Sequence, residues 1–187
     1  MKSFASLGLM VVAVAALSGC AMTAPNYTPS MDNVATLNNM GDVKAKVGEF
    51  SAPAGTDTPV TLSIRGSSMS SPVGGNYGAY VAEALRQELS LANKLVVGSD
   101  TLVTGKLEKN ALDASGFSTG TASISARFVV SKGGVSVYES VKTVDNSWES
   151  SFIGATAIPA AVTGYHNTVQ KLLASLYADP EFVKAIK

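Results

Sequence analysis

The sequence contains one cysteine and one histidine, and this scarcity excludes several kinds of site. Cys20 has no second thiol for an intramolecular disulfide, and zinc sites normally take several Cys or His ligands. Asp and Glu are absent from Ile153 to Ala178, so His166 lacks a carboxylate partner on its own segment. We therefore predict no metal, no cofactor and no catalytic residue, with His166 on a solvated helix face.

Charge is also scarce, because charged residues make up 15% of the chain, with 14 basic against 14 acidic residues. A nucleic-acid-binding protein needs a basic stripe, and we see none. We likewise find no polybasic patch for anionic lipids and no repeat of fixed period, which argues against solenoids and propellers. These absences predict a protein that binds no nucleic acid.

The N-terminus has the layout of an export signal. Lys2 precedes an apolar run from Leu7 to Leu17, which is too short to span a bilayer as a mature helix. The residues that follow, Leu17-Ser18-Gly19-Cys20, resemble a bacterial lipobox. The resemblance implies a cleaved signal peptide (residues 1–19) and a diacylglycerol on the sulfur of Cys20. The alternative is that Cys20 is a small apolar residue of a signal helix.

Lipidation would make the protein membrane-anchored, and stable anchoring takes two or more acyl chains such as palmitate. In bacterial lipoproteins the residue after the cysteine directs sorting, and aspartate there favours the inner membrane. This chain has Ala21. The resemblance therefore implies the periplasmic face of the outer membrane, where ATP and NAD are not maintained.

Two parts follow the signal peptide. Residues 20–41 carry few charges, two prolines and four asparagines, and we interpret them as a lipidated, flexible tether that reaches roughly 25 Å. The alternative is that Val34 to Leu37 packs on the domain. Residues 42–187 are predicted to form one domain.

Period-two alternation predicts about five half-buried strands in this domain. Period 3.6 predicts one helix from Tyr77 to about Asn93 and another that has Pro159 in its first turn. Asp179 and Pro180 begin a short terminal helix. We expect an α+β fold in which two helices cover one face of an antiparallel sheet, in the order β-β-α-β-β-β-α. The strand positions expected to face inward include Val43, Ala45, Val47, Val60, Leu62, Ile64, Val103, Gly105, Leu107, Ala111, Ala122, Ile124, Ala126, Phe128 and Val130.

A Ser/Gly-rich stretch, "RGSSMSSPVGGNYGAY" (residues 65–80), lies between a predicted strand and a helix, as phosphate-binding loops do. A Walker A loop needs a lysine after its last glycine, and none occurs here. The first interpretation is structural, with Gly74 and Gly75 in unusual backbone conformations and Asn76 or a serine as helix cap. The others are a mobile loop at 66–76 that contacts a partner through Met69 and Val73, and a ligand site.

Trp148 and Phe152 lie before the last long helix. Such an aromatic pair lines a ligand groove, anchors an interface or closes one end of a core. We favour closure of the core and keep both residues as candidate contacts.

In its lipobox and element order, the chain resembles small outer-membrane lipoproteins with a β-α-β-β-β-α body. These include the lipopolysaccharide-assembly lipoprotein and ABC-transport auxiliary lipoproteins. The resemblance covers residues 43–178 by element order alone, and it carries over no site beyond Cys20. It implies an accessory role without catalysis, with an envelope protein partner or self-association. One alternative is an amphiphile-binding protein with an apolar cavity between helices and sheet. The other is an envelope hydrolase with His166 near a Ser, Tyr or carboxylate.

Overall fold

The computed structural model describes residues 21–187, so the predicted signal peptide (residues 1–19) and Cys20 lie outside the described residues. This part of the chain forms seven strands and four helices around one core. In chain order they are β1 (Ala21–Thr23), α1 (Met31–Asn39), β2 (Lys46–Ser51), β3 (Thr61–Ile64), β4 (Ser67–Ser70), α2 (Tyr77–Leu91), β5 (Thr101–Asp113), β6 (Thr119–Lys132), β7 (Val135–Glu149), α3 (Gly154–Tyr177) and α4 (Pro180–Ile186).

The larger sheet has the strand order β2-β5-β6-β7. Strands β5, β6 and β7 form an antiparallel meander. Gly133 and Gly134 both have positive φ in the tight β6–β7 turn, as a two-residue hairpin loop requires. The predicted inward set of β6 is buried throughout, and α2 and α3 pack on that face.

The α+β class is confirmed, but the strands form two sheets where the sequence predicted one. Strands β1, β4 and β3 make a separate three-stranded sheet, and β4 comes from the stretch expected to be a loop. Strand β2 pairs parallel with β5 because the chain returns through α2, and parallel neighbours need such a crossover. Alternation within single strands cannot distinguish these pairings.

A bulge in β5 changes which residue faces the core. The register shifts between Leu107 and Lys109, so Asn110 points inward and Ala111 is exposed, opposite to the prediction for Ala111. The Asn110 side-chain oxygen accepts a hydrogen bond from the Tyr165 hydroxyl at 2.9 Å. An extra residue in one strand reverses the alternation beyond it, which strict period two cannot anticipate.

The segment interpreted as a tether is packed on the domain. Ser30 caps α1, and Val34 and Leu37 are buried in the main core. Tyr27 is buried as well. The flexible-tether interpretation is therefore wrong for this segment, and the alternative of packing through Val34 to Leu37 describes it. The reason is tertiary, since the contacts come from α2 and α3.

Helix ends were predicted with mixed success. Asn76 caps α2 by accepting a hydrogen bond from Ala79 N–H at 3.0 Å, and Asn93 adopts a positive φ after its end. Helix α3 begins at Gly154, so Pro159 lies inside it and not in its first turn. The missing N–H of Pro159 leaves the Ala155 carbonyl without its usual donor, which is tolerated because Ala155 is exposed to water.

Asp179 joins α4 to β7, and we expect its removal to loosen this contact. It caps α4 through Glu181 N–H at 2.9 Å and accepts hydrogen bonds from Lys142 at 2.5 Å and Tyr138 at 2.7 Å. Loss of the cap alone costs about 1 kcal/mol. The Lys142 hydrogen bond lowers the pKa of Asp179 from 3.8 to about 2.

Because the folded-state pKa is depressed, the stabilisation is present above pH 3.8 and is lost as the pH falls towards about 2. Urea unfolding at several pH values should give a smaller acid-induced decline for Asp179→Asn than for the wild type. Glu181→Gln, in the same helix, should retain the wild-type decline. Equal declines in wild type and Asp179→Asn would contradict the assignment.

Candidate functional site

The Ser/Gly-rich stretch serves the fold. Ser67 to Ser70 form β4, which pairs with β1 on one side and β3 on the other. Gly74 and Gly75 have φ values of 57° and 70°, which are the unusual backbone conformations that the structural interpretation predicted. Met69 is 0% exposed, and its backbone carbonyl accepts a hydrogen bond from the Tyr77 hydroxyl. The prediction that Met69 contacts a partner is therefore wrong.

Val73 is half-buried and lines an open groove of about 450 Å³ between β2 and α2. The groove contains one cation, Arg86, whose guanidinium donates to the Gly48 carbonyl at 3.0 Å and lies 3.5 Å from Glu83. The Arg86 guanidinium, which an anionic ligand would need, is therefore already engaged by the protein. The groove is an open recess with mixed polarity, and it lacks the features of a phosphate cradle.

His166 packs against the N-terminal segment. Its ring stacks on Tyr27 with centroids 5.1 Å apart, and its Nε2 lies 3.2 Å from the Gln170 side-chain amide. Desolvation lowers the pKa of His166, opposed by a hydrogen bond to the Thr28 backbone. The Tyr27 hydroxyl is engaged by Glu88. Among residues 21–187 the ring hydrogen-bonds to Gln170 and to the Thr28 backbone, whereas the hydrolase hypothesis needs a Ser, Tyr or carboxylate partner.

Glu88 is the main polar feature that the sequence reading missed. Its side chain is 0% exposed, and burial raises its pKa, opposed by the hydrogen bonds that it accepts. The spacing 77, 81, 84, 88 places it on the apolar stripe of α2, which is the signal that could have found it. Its donors are the Tyr27 hydroxyl at 2.5 Å, Ser30 N–H at 3.1 Å, the Asn33 amide at 3.1 Å and the Tyr177 hydroxyl at 2.9 Å.

This buried cluster fastens the N-terminal segment to the domain. Tyr27, Ser30 and Asn33 come from that segment, while Glu88 and Tyr177 belong to α2 and α3. Every partner donates, so the carboxyl group accepts throughout. The geometry supports a structural fastening, because no bound group is needed to satisfy it.

Trp148 and Phe152 have different environments. Trp148 is half-buried between Gly120 and Gly164, where added Cβ atoms would collide with its indole ring. It thus closes one end of the core, as the favoured interpretation held. Phe152 is 75% exposed, and its ring centroid lies 5.4 Å from that of Phe117.

Strand β7 forms one edge of the larger sheet, and its outer side is unpaired among the described strands. It contains 15 residues, with Tyr138, Lys142 and Trp148 towards the helices. The opposite face bears alternating exposed residues, and we call this row the β7 row. It consists of Glu139, Val141, Thr143, Asp145, Ser147 and Glu149.

The space between helices and sheet is filled by side chains. Phe128, Ile124, Tyr165, Leu172 and Leu173 are at most 1% exposed in this layer. Such packing counts against an amphiphile held there. Within residues 21–187, none of the helices combines the length and apolar character needed to cross a bilayer.

Comparison with known proteins identifies a shared fold. No protein-family model matches the sequence, and neither does any curated protein. The structure resembles that of protein XCC0632 from Xanthomonas campestris, described as a DUF330 protein, with a TM-score of 0.60 and 14% identity. That similarity covers 89% of this chain and 97% of the other.

Two further structures have lower scores. A Caulobacter crescentus protein proposed to be a lipoprotein has a TM-score of 0.46 and 11% identity over 82% of this chain and 93% of its own. Protein CT253 from Chlamydia trachomatis has a TM-score of 0.39 and 9% identity over 89% and 98%. The chain shares the fold of the Xanthomonas DUF330 protein.

Proposed function

We propose that this protein is a lipid-anchored lipoprotein of the bacterial cell envelope that acts as a non-catalytic binding module for a protein partner. The support for the anchor is the lipobox-like Leu17-Ser18-Gly19-Cys20 after an apolar run. Ala21 in the sorting position favours the periplasmic face of the outer membrane.

The observation that carries the binding role is the unpaired edge of β7. An exposed edge offers a row of backbone N–H and C=O groups to which an extended partner segment can add as a further strand. The edge is 15 residues long, longer than most strands in globular proteins. No strand pairs with the outer side of this edge among residues 21–187, and an open edge of this length favours a partner strand.

The charges of the β7 row indicate what kind of partner fits. Glu139, Asp145 and Glu149 make it acidic, and Glu139 is paired with Arg127 at 2.8 Å. A second copy adding β7 to β7 would bring carboxylates towards carboxylates, which is destabilising. The row therefore favours a different protein with basic residues at alternate positions over self-association.

The test is crosslinking in cells, followed by mass spectrometry, with the native lipoprotein and with Cys20→Ala. We expect a partner that is captured with the native protein and lost with Cys20→Ala. Thr143→Lys combined with Asp145→Lys places positive charges opposite the basic residues expected of the partner. This repulsion should reduce capture about tenfold, which corresponds to about 1.4 kcal/mol. Glu83→Lys, at a half-buried site on helix α2 away from β7, is the matched control.

Each part of the proposal has its own contrary outcome. Full-length chains without lipid on Cys20 would contradict the anchor. Undiminished capture with the β7 variant would rule out the β7 edge as the binding surface and would not affect the proposed lipid anchor. Crosslinks to the protein itself alone would indicate self-assembly in place of a different partner.

A further inference from the structure

The first described residue lies at one end of the three-stranded sheet. Strand β1 runs parallel to β4, with Ala21 opposite Ser68, and Ala24 N–H donates to the Ser70 carbonyl at 2.8 Å. Strand β4 begins after the Arg65–Gly66 turn, where both residues have positive φ. Ala21 therefore lies beside this turn, and Cys20 is bonded directly to Ala21.

Arg65 connects this turn to two loops of the larger sheet. One guanidinium nitrogen donates to the Gly116 carbonyl at 2.6 Å and to the Ser151 carbonyl at 2.8 Å. Gly116 belongs to the β5–β6 loop, and Ser151 lies between β7 and α3. Ala21, the Arg65–Gly66 turn and both loops thus lie at one end of the described structure.

Both loops expose large apolar side chains at this end. Phe117 is 68% exposed, Phe152 75% and Ile153 63%, and the two phenyl rings lie 5.4 Å apart. We call these three residues the apolar tip. Exposed apolar residues that cluster mark an interaction site, in contrast to single ones.

The surroundings of the apolar tip carry little charge. The stretches 114–126 and 150–170 contain no Asp, Glu, Lys or Arg, and neither do 21–31 or 66–82. Arg65 is held by loop carbonyls, and Asp113 and Glu149 lie at the borders of the two loops. A surface that enters a headgroup layer must desolvate, and the scarcity of ionised groups lowers that cost.

The position of the proposed anchor indicates that the apolar tip contacts the lipid bilayer. Residues from Ala24 onward are packed on the domain, so no flexible tether separates Cys20 from the folded body. A lipid on Cys20 would hold this end against the membrane. Phenylalanine and isoleucine side chains held against a membrane insert into the boundary between headgroups and acyl chains.

We propose that Phe117, Phe152 and Ile153 insert into the leaflet that holds the lipid of Cys20, and that they fix the orientation of the domain on the membrane. This inference rests on the proposed lipid anchor. It goes further, because a lipid alone leaves the domain free to rotate. With the tip inserted, strand β5 leads away from the bilayer, and its other end lies roughly 40 Å away.

The test uses the lipidated protein in vesicles of phosphatidylethanolamine and phosphatidylglycerol. Since Cys20 is the only native cysteine and its sulfur carries the lipid, Phe152→Cys provides one free thiol for a nitroxide label. Val97→Cys is the matched control, because Val97 is 88% exposed and apolar and precedes β5 at its opposite end. Accessibility of each nitroxide to oxygen and to a water-soluble nickel complex measures its depth.

We expect the label at position 152 to favour oxygen, as in a membrane, and the label at position 97 to favour the nickel complex. In a second arm, Ala155→Cys carries the label while Phe117 and Phe152 are both replaced by serine. That label should lose its oxygen preference in the double variant and keep it when Val97 is replaced by serine. Circular dichroism should be unchanged, because all the substituted side chains are exposed.

The outcomes separate this proposal from the anchor. If the protein floats with the vesicles and position 152 favours the nickel complex, insertion is excluded while the anchor stands. If position 152 is shielded from both reagents, a protein covers the tip and the bilayer proposal is overturned. If Cys20 carries no lipid mass and the protein does not float, the anchor itself is excluded.

Discussion

The variant Glu88→Ala is expected to lose about 3–5 kcal/mol of unfolding free energy, which is a large part of the stability of a typical domain. The substitution removes the acceptor of four donors, of which the Asn33 amide keeps its bond to the Gln170 carbonyl and the buried hydroxyls of Tyr27 and Tyr177 lose their partner. Each buried group left unpaired costs about 1–3 kcal/mol, less where water enters the space. The N-terminal segment is expected to detach first, because its contacts converge on this carboxyl group.

Urea unfolding would measure this loss, and hydrogen exchange would locate it in residues 27–40. The matched control is Glu83→Ala on the same helix, where a partly exposed pair with Arg86 contributes about 0.5 kcal/mol. Similar stabilities for Glu88→Ala and Glu83→Ala would show that the cluster does not hold the segment.

Glu88 also predicts a pH dependence. Desolvation raises its folded-state pKa above the ordinary value of 4.5. For a raised pKa, the stabilisation is fully present below that ordinary value and is lost as the pH rises through the folded-state pKa. The wild type should therefore lose stability relative to Glu88→Gln as the pH rises above 4.5, because glutamine does not ionise. A difference that stays constant with pH would contradict the direction of this shift.

The second large effect is expected from Gly164→Ala. A Cβ at this position would collide with the indole of Trp148, which Gly120 confines from the other side. Overpacking of this kind costs about 1–3 kcal/mol. The indole must move, and because Trp148 is the only tryptophan, its fluorescence reports that movement directly.

Gly154→Ala is the matched control in the same helix, since a Cβ there meets no atom within 4 Å. Alanine is the better helix former by up to about 1 kcal/mol, so this variant should be neutral or stabilising. We expect a red-shifted emission and reduced stability for Gly164→Ala alone. Unchanged emission would mean that the indole is not confined as described.

The sequence predicted the elements that depend on local periodicity. The apolar stripe of α2, the inward residues of β6 and the caps at Asn76 and Asp179 are all present in the structure. Each depends on residues close in the chain, so a single segment contains the whole signal. The α+β class followed from the order of these segments.

The candidate contacts fared less well. Phe152 and Val73 lie at the surface or in a groove, whereas Met69 is buried because its face of the three-stranded sheet packs on the main core. Which face of a short Ser-rich strand is covered depends on the distant elements that pack on it. The sequence pattern of β4 contains no information about them.

The sequence by itself determined the lipobox-like N-terminus, the uncharged stretches such as 114–126 and 150–170, and the secondary-structure periods. Tertiary structure decided the rest. It folded the expected tether onto α2 and α3 through Glu88, and it brought Phe117 and Phe152 together on two loops that Arg65 joins to the turn near Ala21. The physical reason is the range of the contacts. Hydrogen bonds between residues 61 and 89 positions apart, and a turn joined to loops by Arg65, exist only after the sheets and helices have assembled.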